Sequence, residues 1–265
     1  MINDFPQVLT IAGSDCDGSA GMQADMNTFF ARKVYGMSVL TACVAGNSFG
    51  IEASEILDSE FIEKQCEVLD SDFNIKAVKT GMMADLKTIK TVIDLLKKYD
   101  FGTLVVDPVI ITKHGNMLLE NEAYDELKEN LLPLADVITP NYYETQKITG
   151  LKLENEYEIE EAAQMLQQMG VKNVLLKGEH SGSSEVVDDF VLLENGESFW
   201  QTHNYVDTTH INGTGDTLSA CIVAEIAKGK AIKDAIKIAE DYTYQCIAHP
   251  INVGHKFGPI NHWEK

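Results

Sequence analysis

The chain has 265 residues, of which 45% are hydrophobic, and this composition is sufficient for a sizeable core in a soluble globular protein. Its 41 acidic side chains outnumber the 21 basic ones, which disfavours a nucleic acid or an anionic membrane as a partner, since either needs a basic face. The five cysteines form no C-x-x-C pair, the N-terminus has no basic leader, and no apolar run approaches the ~18 residues of a membrane span, so we expect a reduced, cytoplasmic protein.

Short apolar segments alternate with helical ones along the chain. The first strand is predicted at residues 7–12, and apolar residues near helical spacing predict a helix at 22–34. Further strands are predicted at 37–44, 75–78, 103–106, 137–138 and 174–176, and further helices at 61–69, 86–99, 120–132, 157–169, 217–228 and 231–248. This alternation predicts an α/β fold with a mainly parallel sheet covered by helices on both faces.

One segment interrupts the alternation. Two β-rich runs, 189–193 and 198–201, flank an Asn195-Gly196 turn signal, which predicts a small antiparallel hairpin at the sheet edge. Since no linker, internal repeat or low-complexity tract divides the chain, we expect a single domain over residues 1–265.

Polar and glycine-rich segments follow the predicted strands. In a parallel α/β sheet, ligands bind at the carboxyl ends of the strands, so these segments supply candidate site residues. The candidates, in chain order, are Gly13, Asp15, Gln23, Gly46, Met82, Asp107, Val109, Asn141, Glu144 and Lys177. Each one alone could be a cap or a turn residue. Their recurrence at every strand end favours a ligand site.

A glycine-rich turn before the predicted helix at 217–228 carries an acidic residue, Asp216. A helix N-terminus binds anions through its free N–H groups, so a carboxylate is unexpected there unless it has a proton to accept. The pattern indicates phosphoryl transfer to a hydroxyl, with Asp216 as base and Gly213, Thr214 and Gly215 as the anion hole. The alternative is a plain loop in which Asp216 caps the helix.

Other candidates fit a nucleotide. Asp107, Asn141 and Glu144 offer hard oxygen ligands for Mg²⁺, which typically takes one or two carboxylates and substrate phosphates. Lys177 and Lys113 could neutralise phosphate, although either could equally be a solvated lysine. The first glycine-rich turn matches neither a Walker A motif nor the dinucleotide fingerprint, which makes an oxidoreductase the lesser alternative. A non-catalytic sensor of a vitamin phosphate is a further alternative, and the intact turn at Asp216 argues against it.

Taken together, these segments resemble the ribokinase-like superfamily, in the branch of hydroxymethylpyrimidine (phosphate) kinases and the similar pyridoxal kinases. The resemblance extends nearly end to end and rests on residues 11–15, 18–25, 35–37, 79–82, 106–109, 139–144, 177–178, 213–216 and 254–259. It implies a kinase that uses ATP and Mg²⁺ to phosphorylate the hydroxymethyl group of a B-vitamin ring. Enzymes of this branch are often homodimers.

The resemblance also implies roles for the candidate residues. Asp216 would be the base, and Gly213, Thr214 and Gly215 would stabilise the transferring phosphoryl group. The phosphates and Mg²⁺ would be organised by Asp107, Asn141 and Glu144, with Lys177 near the nucleotide and Lys113 on a mobile lid. The substrate ring would be bound by Gly13, Asp15, Gln23, Gly46, Met82 and Val109.

Two positions depart from the pattern of the pyrimidine-specific members. These enzymes usually carry Cys where this chain has Asp216, and a ring-binding Gln where it has Gly46. A carboxylate base and a pocket without that side chain favour a more substituted pyridine. We therefore expect pyridoxal, pyridoxine or pyridoxamine as substrate, with hydroxymethylpyrimidine or its phosphate, in thiamine biosynthesis, as the alternative.

Overall fold

The computed structural model describes residues 3–111, 119, 121–179 and 185–264. Over these residues a nine-stranded sheet crosses the molecule. Its strands are β1 (Gln7–Asp15), β2 (Tyr35–Asn47), β3 (Gly50–Ile56), β4 (Ala77–Thr80), β5 (Thr103–Val106), β6 (Val137–Ile138), β7 (Asn173–Leu176), β8 (Val186–Leu192) and β9 (Ser198–Asn204). A separate parallel pair is formed by β10 (His210–Asn212) and β11 (Gly258–Pro259).

The strands lie in the order β3-β2-β1-β4-β5-β6-β7-β8-β9. The six central strands, β2, β1, β4, β5, β6 and β7, pair in parallel. Strand β3 pairs antiparallel with β2, and β8 pairs antiparallel with both β7 and β9. The prediction of a mainly parallel sheet is therefore confirmed. The predicted edge hairpin is also confirmed, because β8 and β9 pair across the turn that contains Asn195 and Gly196.

Helices cover both faces of the sheet. They are α1 (Gly21–Ala31), α2 (Ser59–Asp70), α3 (Leu86–Lys98), α4 (Asn121–Glu126), α5 (Tyr142–Thr149), α6 (Glu156–Gln168), α7 (Thr214–Ala227) and α8 (Ile232–Ala248). One apolar cluster joins the sheet to α2, α3 and α6, and a second joins it to α1, α7 and α8. In β1, Leu9 and Ile11 belong to the first cluster and Val8 to the second, which explains why the central strands read as continuous apolar runs.

Several boundaries differ from the sequence prediction. Strand β3 and helix α5 were not predicted, and the helix expected at 120–132 consists of α4, a π-helical turn at Leu127–Leu131 and a 3₁₀ turn at Leu132–Leu134. Helix α7 begins three residues earlier than expected. The earlier start of α7 matters most for function, because it places Asp216 inside the first turn of this helix.

A search of the described helices finds none that is both long enough and apolar enough to cross a membrane.

Candidate active site

Helix α7 begins at Thr214 because Gly213 turns the chain into it. Gly213 has φ +81°, a left-handed conformation that glycine adopts without strain. Packing also excludes a side chain here, since a Cβ atom would lie 2.3 Å from the carbonyl oxygen of Ser19. The first N–H groups of an α-helix have no acceptor within the helix, so those of Thr214, Gly215 and Asp216 are available to an anion.

The first turn of α7 faces a carboxylate and a lysine. A Cβ atom on Gly215 would lie 3.4 Å from Lys177 Nζ and 3.5 Å from Asp107 Oδ2. The absence of a side chain therefore leaves space between the first turn of α7 and these two groups. Lys177 Nζ lies 3.9 Å from Asp107 Oδ1, and Ser219 Oγ donates to Asp107 Oδ2. Burial raises the pKa of Asp107, and the charges of Lys177 and Lys79 oppose that rise. The ends of β5 and β7 thus bring opposite charges to one helix N-terminus.

Asp216 is the third residue of α7, and its side chain is 20% exposed. Its Oδ1 lies 3.8 Å from Nζ of Lys79, a fully buried lysine that forms a 2.6 Å ion pair with Asp25. The Asp216 carboxylate therefore has a buried cation on one side and access to a ligand on the other. This is a suitable position for a group that accepts a proton from a bound alcohol.

Glu144 and Asn141 form the N-terminal cap of α5. Asn141 Oδ1 accepts the N–H of Glu144, and Glu144 Oε2 accepts the N–H of Asn141. The other oxygen, Glu144 Oε1, accepts the N–H of Ile110 at 2.8 Å. Burial and the nearby charge of Asp107 raise the pKa of Glu144 to about 7. Glu144 thus joins the segment after β5 to the start of α5, at the same edge of the sheet as Asp107.

The segment after β5 contains a strained residue. Val109 has φ +45°, and a β-branched residue in this left-handed region costs of order 1–3 kcal/mol. The hydrogen bond from the next N–H, that of Ile110, to Glu144 holds this conformation. Val109 therefore lies two residues after Asp107 on a fixed turn. Lys113 lies outside the described residues.

Of the residues expected to bind the substrate ring, those at the ends of β1 and β4 come together. A Cβ atom on Gly13 would lie 2.5 Å from Met82 Cε, so Met82 packs directly on this glycine. Gln23 Oε1 accepts the N–H of Asp15 and thereby joins the end of β1 to α1. Gly46 lies farther out, on β2, where a Cβ atom would be 3.0 Å from a carbonyl oxygen of the facing strand.

A cavity of about 310 Å³ lies beside the turn at Gly213. It is lined by residues that include Ser19, Asn47, Phe49, His255, Phe257 and Pro259. The Phe49 and His255 rings are stacked, and the Ser19 carbonyl packs against Gly213. The cavity is therefore walled by the segment after β1, the β2–β3 turn and the C-terminal segment, next to the first turn of α7.

Sequence reasoning assigned no role to Lys79, Asp25 or His262. Lys79 contacts Asp216, Asp25 pairs with Lys79, and His262 contacts Thr217, the residue after Asp216. The strand here was predicted to end at residue 78, which placed Lys79 after it; Lys79 lies inside β4, where a buried lysine requires a counter-charge. The signal for His262 was weak, since a lone histidine is usually a surface or satisfied core residue. His262 Nε2 lies 2.9 Å from Thr217 Oγ1, and burial lowers the pKa of this histidine to about 4.

The family model for phosphomethylpyrimidine kinase matches residues 15–261. The chain belongs to this family. It is 44% identical over 264 residues to the hydroxymethylpyrimidine/phosphomethylpyrimidine kinase of Haemophilus influenzae, covering 99% of this chain and 98% of that protein. The family assignment confirms the predicted resemblance to the ribokinase-like branch of vitamin kinases.

Two solved structures show the same fold. The crystal structure of phosphomethylpyrimidine kinase from Clostridium difficile 630 has a TM-score of 0.81 and 38% identity, and covers 91% of this chain and 99% of that one. The pyridoxal kinase of Staphylococcus aureus, in complex with AMP-PCP and pyridoxal, has a TM-score of 0.89 and 30% identity. The match covers 98% of this chain and 94% of that one. The chain is therefore an ATP-dependent kinase of one of these two types, and the oxidoreductase alternative is wrong.

We expect His262 to make the stability of this kinase depend on pH. Its folded pKa of about 4 lies below the ordinary value, so its contribution is present above pH ~6.5 and is lost as the pH falls towards 4. Between pH 7 and pH 5 the wild type should lose about 1–2 kcal/mol of unfolding free energy through this residue.

Urea unfolding of His262→Gln at both pH values measures this loss. Gln retains a hydrogen-bonding group for Thr217, and the variant should lose less stability than the wild type between pH 7 and pH 5. His249→Gln, at a histidine whose side chain is 57% exposed, is the control and should retain the wild-type difference. If His262→Gln lost as much unfolding free energy between pH 7 and pH 5 as the wild type does, the pH dependence could not be attributed to His262.

Proposed function

We propose that this kinase transfers the γ-phosphoryl group of ATP to the hydroxyl of hydroxymethylpyrimidine and, in a second reaction, to the phosphate group of the monophosphate, with ADP released each time. The observation that carries the proposal is the 44% identity, over 99% of the chain, to an enzyme named for both pyrimidine substrates. Curated relatives from Staphylococcus and Bacillus with 36–38% identity bear the same name. This full-length similarity outweighs the preference for pyridoxal that two sequence positions suggested.

Pyridoxal remains the second candidate substrate, because of Gly46 and Asp216. Position 46 is a glycine, so this chain offers no side chain there to contact a pyrimidine ring. A Cβ atom at this position would lie only 3.0 Å from a carbonyl oxygen of β3. A pyridoxal kinase is also among its structural neighbours at TM-score 0.89. Both observations favour a pocket that accepts a pyridine.

For either substrate the reaction uses the same groups. Asp216 accepts the proton of the attacking hydroxyl, and the N–H groups of Thr214 and Gly215 stabilise the negative charge of the transferring phosphoryl group. Lys177 neutralises phosphate charge beside them. Since phosphoryl transfer depends mainly on positioning and on electrostatic stabilisation, a carboxylate and a helix N-terminus suffice for most of the work.

The donor set beside this turn fits Mg²⁺. Mg²⁺ is commonly bound by one or two carboxylates together with waters and substrate phosphates. Asp107 supplies a buried carboxylate next to the phosphate-binding turn. Both oxygens of Glu144 already accept backbone N–H groups, so Glu144 would act on the ion's water shell, and Asn141 would hold the loop that carries it. Mg²⁺ bound here would supply further charge stabilisation to the phosphates.

We also propose that the kinase is a homodimer. Strand β3 is exposed along its whole length, and within the described part of the chain its outer edge pairs with no other strand. Apolar side chains lie on and beside it, including Ile51 at 66% exposure and Phe49 at 63%. An uncovered apolar edge of this kind is a site for pairing with another chain.

Analytical ultracentrifugation tests the dimer. The wild type should sediment as a dimer, and Ile51→Lys should shift it towards the monomer, because a charge on the edge opposes strand pairing. Phe30→Lys, at an equally apolar residue of α1 that is 86% exposed, is the matched control and should leave the dimer intact. A monomeric wild type contradicts the proposal.

Asp216→Asn should reduce kcat by about 10²–10⁴-fold, since the amide cannot accept the proton, while the affinity for ATP is retained. The matched control is Asp234→Asn. Asp234 is likewise the third residue of its helix, α8, but it is exposed and away from the site. Steady-state kinetics and nucleotide titration measure both effects. Wild-type turnover in Asp216→Asn would exclude Asp216 as the base.

A substrate panel decides between the two vitamin rings. ADP production is measured with hydroxymethylpyrimidine, its phosphate, pyridoxal, pyridoxine and pyridoxamine, each with ATP and Mg²⁺. We expect the highest kcat/KM for the pyrimidines. Turnover of the pyridines alone would overturn the pyrimidine assignment and leave the kinase assignment intact.

A further inference from the structure

A fully buried ion pair lies beneath the first turn of α7. Lys79, on β4, and Asp25, on α1, are both completely inaccessible to solvent, and Lys79 Nζ is 2.6 Å from Asp25 Oδ1. The second oxygen, Asp25 Oδ2, accepts the hydroxyl of Thr10 at 2.6 Å. Asp25 thus has a bonding partner at each oxygen, which holds the carboxyl group in one orientation. Burial raises the pKa of Asp25 to about 7, and the charge of Lys79 opposes that rise.

The same ammonium group also contacts α7. Lys79 Nζ is 3.5 Å from the carbonyl oxygen of Asp216 and 3.8 Å from its Oδ1. Burial opposes the charge of Lys79, but the carboxylates of Asp25, Asp216 and Asp107 outweigh this and raise its pKa. The ammonium group of Lys79 therefore contacts both the main chain and the side chain of Asp216.

Packing alone does not account for this lysine. Removing a charged pair from water is costly, and a well-packed apolar pair often stabilises a protein as well or better. The strand around Lys79 is otherwise a buried run, Ala77-Val78-Lys79-Thr80, of which Ala77 belongs to the apolar cluster on the α7 side. The charge occurs at the point where β4 meets the first turn of α7.

We propose that Lys79 is a positioning residue for phosphoryl transfer, which holds the first turn of α7 and the Asp216 carboxylate in place, with Asp25 as its counter-charge. The inference rests on the proposed role of Asp216 as the base. Fixing the main chain of Asp216 also fixes the neighbouring N–H groups of the turn. Both the base and the anion hole then keep their orientation relative to the reacting groups, where small displacements have large effects on rate.

The alternative is that Lys79 only compensates the buried charge of Asp25. The two roles differ in what a second substitution restores. If Lys79 is only a counter-charge, then removing the charge of Asp25 as well, in Lys79→Met/Asp25→Asn, should restore both stability and activity. If Lys79 positions Asp216, the double variant should regain stability but not kcat.

The experiment compares Lys79→Met, Asp25→Asn and the double variant with the wild-type full chain. For each, urea unfolding gives stability, and kinetics with the best wild-type substrate give kcat and both KM values. We expect Lys79→Met to lower kcat by about 10–100-fold with the KM for ATP changed less than about threefold. The double variant should unfold near the wild-type midpoint and keep the low kcat.

Arg32→Met is the matched control. Arg32 is the C-cap residue of α1 and pairs with Glu225 of α7 at 2.7 Å. This pair therefore joins α1 to α7, as Lys79 does through Asp25 and Asp216, but away from the first turn of α7. Its loss should lower stability without changing kcat. A control variant that lost kcat in proportion to stability would show that any loosening of α1 against α7 impairs the reaction, which would overturn a specific role for Lys79.

Recovery of wild-type kcat in the double variant would also overturn the inference. If Lys79→Met alone does not fold, the double variant still decides the question, because it contains no uncompensated buried charge at this pair. Failure of the proposed function is distinguishable: it appears as unchanged turnover in Asp216→Asn, whereas failure of this inference leaves Asp216→Asn inactive and the double variant active.

Discussion

Lys79 and Lys177 lie among buried carboxylates at the carboxyl edge of the sheet, and the geometry of the candidate site depends on how these charges are balanced. The chain as a whole carries a formal charge of −20, so it repels the phosphates that it must bind. We propose that the repulsion is overcome locally, by Lys177 and by the N–H groups at the start of α7. Low solvent access makes each of these charges more effective than it would be in water.

The parallel topology brings these charges together. Strands β4, β5 and β7 run in the same direction, so their ends deliver Lys79, Asp107 and Lys177 to a single edge. Helix α7 packs in the apolar cluster on one face of the sheet and begins at that same edge. A helix N-terminus and the ends of parallel strands are both sites where anions bind, and here the two coincide.

Much of this arrangement could be predicted from the sequence, and the exceptions have physical reasons. Continuous apolar strands and helical spacing indicated the parallel sheet, and an Asn-Gly turn indicated the hairpin. Strand β3 was missed because its residues are exposed throughout and carry no buried face to generate an alternating pattern. The start of α7 was predicted at Thr217, three residues late. The helix begins at Thr214 because Gly213 takes a left-handed conformation, which the sequence pattern alone does not specify.

The site residues divide in the same way. Residues at strand ends could be proposed one by one, but which of them meet depends on the fold. Gly13 and Met82 are in contact, whereas Gly46 lies on the other side of β1, on β2. The role of Lys79 was missed because the strand was predicted to end at residue 78, whereas β4 extends to Thr80 and buries this lysine. The substrate preference drawn from Gly46 and Asp216 rests on two positions, whereas the full-length similarity reflects the whole chain that shapes the pocket.

The cavity beside Gly213 is closed by parts of the chain that are remote in sequence. The N–H of His255 donates to Ser48 Oγ, and the N–H of Phe257 donates to the Ser48 carbonyl, so this wall spans 207 residues between Ser48 and His255. Contacts of such long sequence separation carry a large loop-closure cost and are favourable only once the intervening structure exists. Completion of this wall therefore reports on the folding of the whole chain. Enzymatic activity should be a stricter measure of correct folding than helix or strand content, which can form before the segments around Ser48 and His255 meet.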